Sequence, residues 1–349
     1  IEEALEATGT ATLRRRRLPA ESVIWLVLGM ALQLDRPIHE VVSKLDLVLP
    51  KNNGDGAVAG SSIAQARQRV GEDPLRWLFE RCSRQWALES AAAHGWRGLS
   101  VFAADGTSLR VADSPSNREH FGVSPAGGRG ESAYPLVRMA TLIAARSHLI
   151  AAAAFGPYTT SEYAYAKELW PAVPDDSVTI VDRNYLAAAV LLGLEQQGDN
   201  RHWLIRAKKT TKWRELQSNG PYDALVELSV SSEARRKDPT LPKTYTVRAI
   251  SYRHPDSKGR QWLLTSLRDP TAYPAKELVA LYHERWEIEI GYDEIKTHML
   301  DRQETIRSKT VVGVRQELWG ILLTYNLIRR EMEKIAHEAG VTRVQIGSR

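Results

Sequence analysis

The sequence predicts an α/β (α+β) fold, a sheet covered by helices on both faces, and three observations carry that expectation. Residues 1–97 are punctuated as a succession of helices. From Gly98 onward, short apolar runs that end in turn residues alternate with stretches of helical spacing. The chain then closes on two long helical stretches, 274–299 and 311–339.

In the first part, Pro19 and Glu21 open a helix that runs into the apolar stretch 23–32, and Pro37 opens another over 38–47. The stretch 23–32 is about half of the ~20 apolar residues that cross a bilayer, so it reads as a buried helix and no membrane is implied. The composition of 50–60, PKNNGDGAVAG, makes a loop. Ser61 or Ser62 then caps a short helix carrying Gln65, Arg67 and Arg69, and an amphipathic helix follows over 74–94. Strands are expected at 99–104 (ending in an Asp105-Gly106 turn), 136–145, 148–155, 177–181 (ending in Asp182), 203–205 and 262–266, with helices at 162–169 and 185–197. The polar stretch 208–261, with a β-branched patch at 245–251 and turn signals at Asn219-Gly220 and Lys258-Gly259, reads as a β-rich insertion.

Composition narrows the function classes. At 43% hydrophobic and 26% charged residues the chain matches a soluble globular protein rather than a disordered tail, a collagen-like repeat or a coiled-coil rod. Its 349 residues suffice for two or three domains. The single cysteine, Cys82, excludes a disulfide framework and a multi-cysteine zinc or iron–sulfur site, and fits a reducing compartment. The net charge of +5 permits a nucleic-acid partner without demanding one, but residues 201–268 hold 15 Lys/Arg against 6 Asp/Glu, which makes that segment a DNA-facing candidate. The chain begins at Ile1 rather than Met and stops at Arg349 on no recognisable signal, which leaves room for residues missing at both ends.

Asp105 and Asp182 each stand where an apolar run emerges, a place where open sheets carry functional groups and where Asp also serves as an ordinary turn residue. On the helix expected at 274–299, Tyr282, Arg285, Glu289 and Lys296 fall within roughly 60° of one face at 3.6 residues per turn. A solvated face with ion pairs has this look too, but an aromatic, two cations and one acid suit a surface that meets phosphate and metal. Asp105, Asp182 and Glu289 together could hold two Mg²⁺ or Mn²⁺ ions, the arrangement that drives in-line phosphoryl displacement. Hard oxygen donors without a His or Cys cluster argue against zinc.

The string Y-x2-R-x3-E-x6-K from Tyr282 to Lys296 resembles the YREK motif of DDE transposases of the insertion-sequence-four family. The likeness extends through PAESVIWLVLGMALQLDRPIHEVVSKLDLVLP, FAADGTSLRVADSPSNREHFG, TIVDRNY, LYHERWEIEIGYDEIKT and QELWGILLTYNLIRREM, in the family's order and over nearly the whole chain. It implies a ribonuclease-H-like catalytic core at 98–207 and 262–340, interrupted by the β-rich basic insertion 208–261 and preceded by an N-terminal helical DNA-binding domain at 1–97. It further implies Asp105, Asp182 and Glu289 as the metal-binding triad, with Tyr282, Arg285 and Lys296 on the phosphates of the element's ends. Arg206 matches a strand-borne DNA contact, and an ordinary surface charge would look the same. Trp262 matches a Trp that stacks on a flipped base; a strand Trp, like Trp286 on the helix, also packs naturally in a core.

Two further basic groups come from the residues alone. Arg14, Arg15, Arg16 and Arg17 form a run that could lie on DNA phosphate or stay solvated. Gln65, Arg67 and Arg69 have the side chains and spacing of a major-groove recognition helix. The expected activity is that of an insertion-sequence transposase in a bacterial cytoplasm, on the nucleoid. It would act as a homodimer on double-stranded DNA, cutting terminal inverted repeats and joining the 3′-hydroxyls to a target, with a cut-and-paste outcome and a hairpin intermediate. Two competing readings are a truncated end-binding relative that represses without catalysis, and a repair nuclease on the same core.

Overall fold

A computed structural model describes residues 1–11, 18–33, 36–45, 60–125, 131–253, 259–285 and 305–340. Four helices come first: α1 (Glu2–Ala7), α2 (Ala20–Leu32), α3 (Ile38–Lys44) and α4 (Gly60–Val70). A rod follows, α5 (Asp73–Leu78) and α6 (Arg84–Ala93) joined without a break by a π turn at Phe79–Ser83. Pro74 sits in the rod's first turn, where its missing N–H costs no hydrogen bond. After it come β1 (Ser100–Val111), α7 (Pro115–Phe121), β2 (Val123–Pro125), β3 (Glu131–Ala144), β4 (Ile150–Pro157), α8 (Glu162–Leu169), β5 (Ser177–Val181), α9 (Ala188–Gln196) and β6 (Arg201–Arg206). The remainder is β7 (Arg214–Gly220), β8 (Asp223–Ser229), α10 (Ser232–Lys237), β9 (Thr244–Arg253), β10 (Arg260–Thr265), α11 (Ala275–His283), β11 (Thr305–Ile306) and α12 (Val311–Glu338).

All of these strands join one mixed sheet. Its frame is β4-β3-β1-β5-β6, antiparallel across β4, β3 and β1 and parallel across β1, β5 and β6, which is the ribonuclease-H-like arrangement. The strands β10, β9, β8 and β7 extend the same sheet from the β6 edge, all antiparallel. One face is covered by α2, α4, α5, α11 and α12, whose apolar side chains share a core with Val101, Ala103, Val178 and Ile180. The other is covered by α6, α8 and α9, packed on Phe102, Ala104, Val181 and Trp203. Among the described residues no helix is long and apolar enough to cross a membrane.

Two of the differences from the sequence expectation bear on the site. β1 does not turn at Asp105-Gly106 but continues to Val111, because Gly106 to Arg110 find antiparallel partners in β3 and Val111 pairs with β11. The helix expected over 274–299 closes at His283, with Glu284 and Arg285 in a tight turn bonded to Leu281 and Tyr282; residues 286–304 lie outside the described residues. Glu284 is held at that turn by both arms of the Arg146 guanidinium, each at 2.9 Å.

The long C-terminal helix α12 ties the halves together. A Cβ on Gly320 would stand 2.6 Å from Val27 Cγ1, so α2 approaches that turn as closely as only glycine permits. Asn326 acts as a strand surrogate: its amide accepts from the Ile150 N–H at 2.9 Å and donates to the Ile150 carbonyl at 2.8 Å, satisfying the start of β4. Arg67 meets the same helix. Its guanidinium, 7% exposed, donates to Gln316 Oε1 at 3.1 Å and to the Gly313 carbonyl at 3.0 Å, and lies 3.5 Å from Glu317 Oε1. The reading of Arg67 as a DNA contact is therefore corrected, since its guanidinium is buried against α12 and held there by three partners rather than offered to a groove. Arg69 and Gln65 on the same helix are exposed.

Arg67→Ala strips Glu317 of its cation and leaves a buried carboxylate with the Ser308 hydroxyl and the Arg307 N–H as its remaining neutral partners. The expected loss of stability is about 3–5 kcal/mol by chemical denaturation. A variant that melts like the parent and loses only DNA binding would restore the groove reading.

Candidate active site

β5, Ser-Val-Thr-Ile-Val, is buried along its whole length and ends where Asp182 turns the chain. The Asp182 carboxylate accepts from the Asn184 N–H at 2.9 Å and so caps a short 3-10 turn, Arg183–Tyr185. The parallel pairing of β1 with β5 runs in register to its last partners, Ala104 and Val181. The next residue on each strand is an aspartate, so Asp105 and Asp182 stand side by side at roughly the 4.8 Å spacing of neighbouring strands. Alternation puts both on the face of Ala103 and Ile180, beneath α11 and α12. β5 leaves at this point while β1 continues, and among the described residues the next strand to pair with that side of β1 is β11, at Arg110.

Bringing two carboxylates together here has an electrostatic cost. The Asp105 carboxylate accepts from the Gly106 N–H at 2.8 Å. Even so, its pKa is pushed up from the usual 3.8 to about 6, first by burial and then by the charges of Asp182 and Glu162. Glu162 was not foreseen from the sequence. It lies in the first turn of α8, and a Cβ on Gly106 would stand 2.4 Å from its Oε1, so the missing side chain at 106 is what admits it. Nothing local in the sequence marks this contact, because α8 and β1 meet only in the fold.

The cations come from the other side. Arg285 Nη1 lies 3.9 Å from Asp182 Oδ2. Tyr282 has its ring in the core at 6% exposure, and its hydroxyl, raised by burial, is within hydrogen-bonding reach of Arg285. The sequence expectation of an open phosphate contact at Tyr282 thus becomes a ring that supports Arg285. Arg206, at the end of β6, donates to Gln261 Oε1 at 3.1 Å, and the Tyr252 hydroxyl donates to the same oxygen at 2.9 Å. Gln261 and Tyr252 are cross-strand partners on β10 and β9. Sequence reasoning missed both; the alternation of Gln261 and Leu263 against Trp262 and Leu264 was the available signal.

Trp262 faces the opposite way. Its ring meets Trp213 edge-on at 5.3 Å and packs on the far face of the sheet from the carboxylates. Glu289, Lys296 and Trp286, with Arg14, Arg15, Arg16 and Arg17, lie outside the described residues. Among the described residues no group of three or more His, Cys, Asp or Glu closes a metal site.

Residues 1–80 match the family "Insertion element 4 transposase N-terminal", and residues 96–327 match "Transposase DDE domain". The "Transposase InsG for insertion sequence element IS4" of Escherichia coli (strain K12) is 39% identical over 337 residues, 96% of this chain and 75% of that protein. A "Putative transposase InsZ" of the same strain is 33% identical over 285 residues, 80% of this chain and 89% of that protein. A cryo-EM structure of the piggyBac transposase synaptic complex with hairpin DNA superposes with a TM-score of 0.48 at 11% identity, over 97% of this chain and 73% of that one.

The raised pKa of Asp105 gives a pH signature. Folding raises the proton affinity of this group, so its stabilising contribution is complete below about 3.8 and is lost as pH climbs through about 6. With divalent metal chelated, Asp105→Asn should be more stable than the parent at pH 8 by about 3 kcal/mol, and the gain should vanish near pH 3.5. Denaturation at the two pH values checks this; an equal gain at both contradicts it.

Proposed function

Because the chain belongs to the insertion-sequence-four family of DDE transposases, we propose that it binds the terminal inverted repeats of its own element, cuts both ends and joins the freed 3′-hydroxyls to target DNA. The observation that carries the reading is the register of β1 on β5, which sets Asp105 beside Asp182 at the end of their pairing. In this reading Asp105, Asp182 and Glu289 hold two Mg²⁺ or Mn²⁺ ions. The donor set fits: hard carboxylate oxygens, one of them pushed to about 6 by burial and like charge, make a site that a dication relieves. When bound, such ions activate a water or hydroxyl and neutralise the leaving oxygen of a phosphodiester.

The chain's own residues do the rest. Arg285, beside Asp182, and Arg206, across the same face, supply positive charge where the DNA phosphates must sit against two aspartates. Tyr282 and the Arg146–Glu284 pair fix the turn that aims Arg285. Lys296 adds a further phosphate contact, and the basic β-strands of the sheet extension face the flanking duplex. Two copies bring two ends together in a synaptic complex, excision is by cut and paste, and the reaction takes place on the bacterial nucleoid.

The test uses duplexes carrying the element's ends. Asp105→Ala, Asp182→Ala and Glu289→Ala should each reduce Mg²⁺-dependent cleavage by at least about 10³-fold while end binding in a gel-shift assay stays within about threefold. Cleavage by Glu289→Ala at the parent rate would remove Glu289 from the triad, and cleavage by Asp105→Ala would overturn the site itself.

A further inference from the structure

The Arg206 side chain is held without being neutralised. Elsewhere in this fold, arginines are oriented by carboxylates: Arg146 by Glu284, Arg97 by Glu277 and Arg248 by Asp223. Each such pair fixes the guanidinium and cancels its charge. Among the described residues no carboxylate pairs with Arg206, and its partner is the amide of Gln261. A guanidinium has donors only, so the amide must present its oxygen, and the Tyr252 hydroxyl donates to that same oxygen from the other side. Tyr252 is itself fixed, 7% exposed and edge-on to His283 of α11 at 5.7 Å. The three residues share the face of the sheet that carries Asp105 and Asp182. Both Tyr252 and Tyr282 feel the charges of Arg206 and Arg285, which places the two guanidinia in one electrostatic neighbourhood.

We propose that Gln261, oriented by Tyr252, is a positioning residue that holds the Arg206 guanidinium toward the DNA phosphate while leaving its full charge available. The inference rests on the reading of Arg206 as a DNA contact. An amide is the side chain that meets both needs: a carboxylate of the same shape would keep both hydrogen bonds and cancel the charge, and an apolar residue would lose the orientation.

The isosteric change Gln261→Glu isolates charge from shape. Binding is measured by fluorescence anisotropy over a series of salt concentrations, on a terminal-repeat duplex and on a random duplex of equal length. Gln261→Glu should bind both about tenfold more weakly and lower the salt slope by about one phosphate, ~0.9 in log–log terms. Arg206→Gln should do the same, and the double variant should add little to either. If Gln261→Glu binds with the parent affinity and slope while Arg206→Gln is weakened, the role of Gln261 is overturned and that of Arg206 stands. If Arg206→Gln binds like the parent, the contact at Arg206 fails and the inference falls with it. Tyr252→Phe supplies a second readout that adds no charge: affinity should drop about threefold with the slope unchanged, and parent affinity would remove Tyr252 from the arrangement.

Discussion

The in-register parallel pairing of β1 on β5 is the constraint from which the rest of the site follows. It ends at Ala104 and Val181, and the next residue on each strand is an aspartate. Two carboxylates held at strand spacing, one of them buried enough to titrate near 6, cannot be left alone at neutral pH. The surroundings answer with positive charge on the same face: Arg285 at the end of α11 and Arg206 at the end of β6. The apolar frame makes the demand rigid, because β5 is buried throughout and slipping it by one residue would turn every side chain to the opposite face.

The sheet extension has a place in this account beyond bulk. Arg248, fully buried on β9, is paired with Asp223 of β8 and donates to the Tyr273 carbonyl at 2.6 Å, which anchors the segment entering α11. Tyr252 and Gln261 come from β9 and β10. The extension thus reaches the site from two directions, through the approach to α11 and through the guanidinium of Arg206. The N-terminal helices are joined to the same frame through α12, which carries the partners of Arg67, and through Arg307, whose guanidinium donates to the Met30 carbonyl at 2.8 Å.

Much of this was legible in the sequence where the signal is local. Ser177–Val181 is a short apolar run closed by an aspartate, and it forms the strand it suggests. The helices at 162–169 and 311–338 start at Ser161 and Thr310, whose hydroxyls accept from the N–H groups of Ala164 and Gly313. What could not be read depends on contacts distant in the chain. The Asp105-Gly106 turn signal lost to pairing with β3, which gives Gly106 to Arg110 an antiparallel ladder. Arg67 looks the same in sequence whether it faces a groove or a helix some 250 residues away. Glu162 matters only because the fold brings α8 back onto β1, and nothing among its neighbours marks it.

We propose that Asp105 and Asp182 act as one divalent-metal site created by strand register. Titration of Mn²⁺ into the protein, followed by electron paramagnetic resonance of the free ion, tests it without any DNA or turnover. Saturable binding by the parent that is lost in both Asp105→Ala and Asp182→Ala, with circular dichroism unchanged, is the result expected. Undiminished Mn²⁺ binding by either folded variant would contradict it.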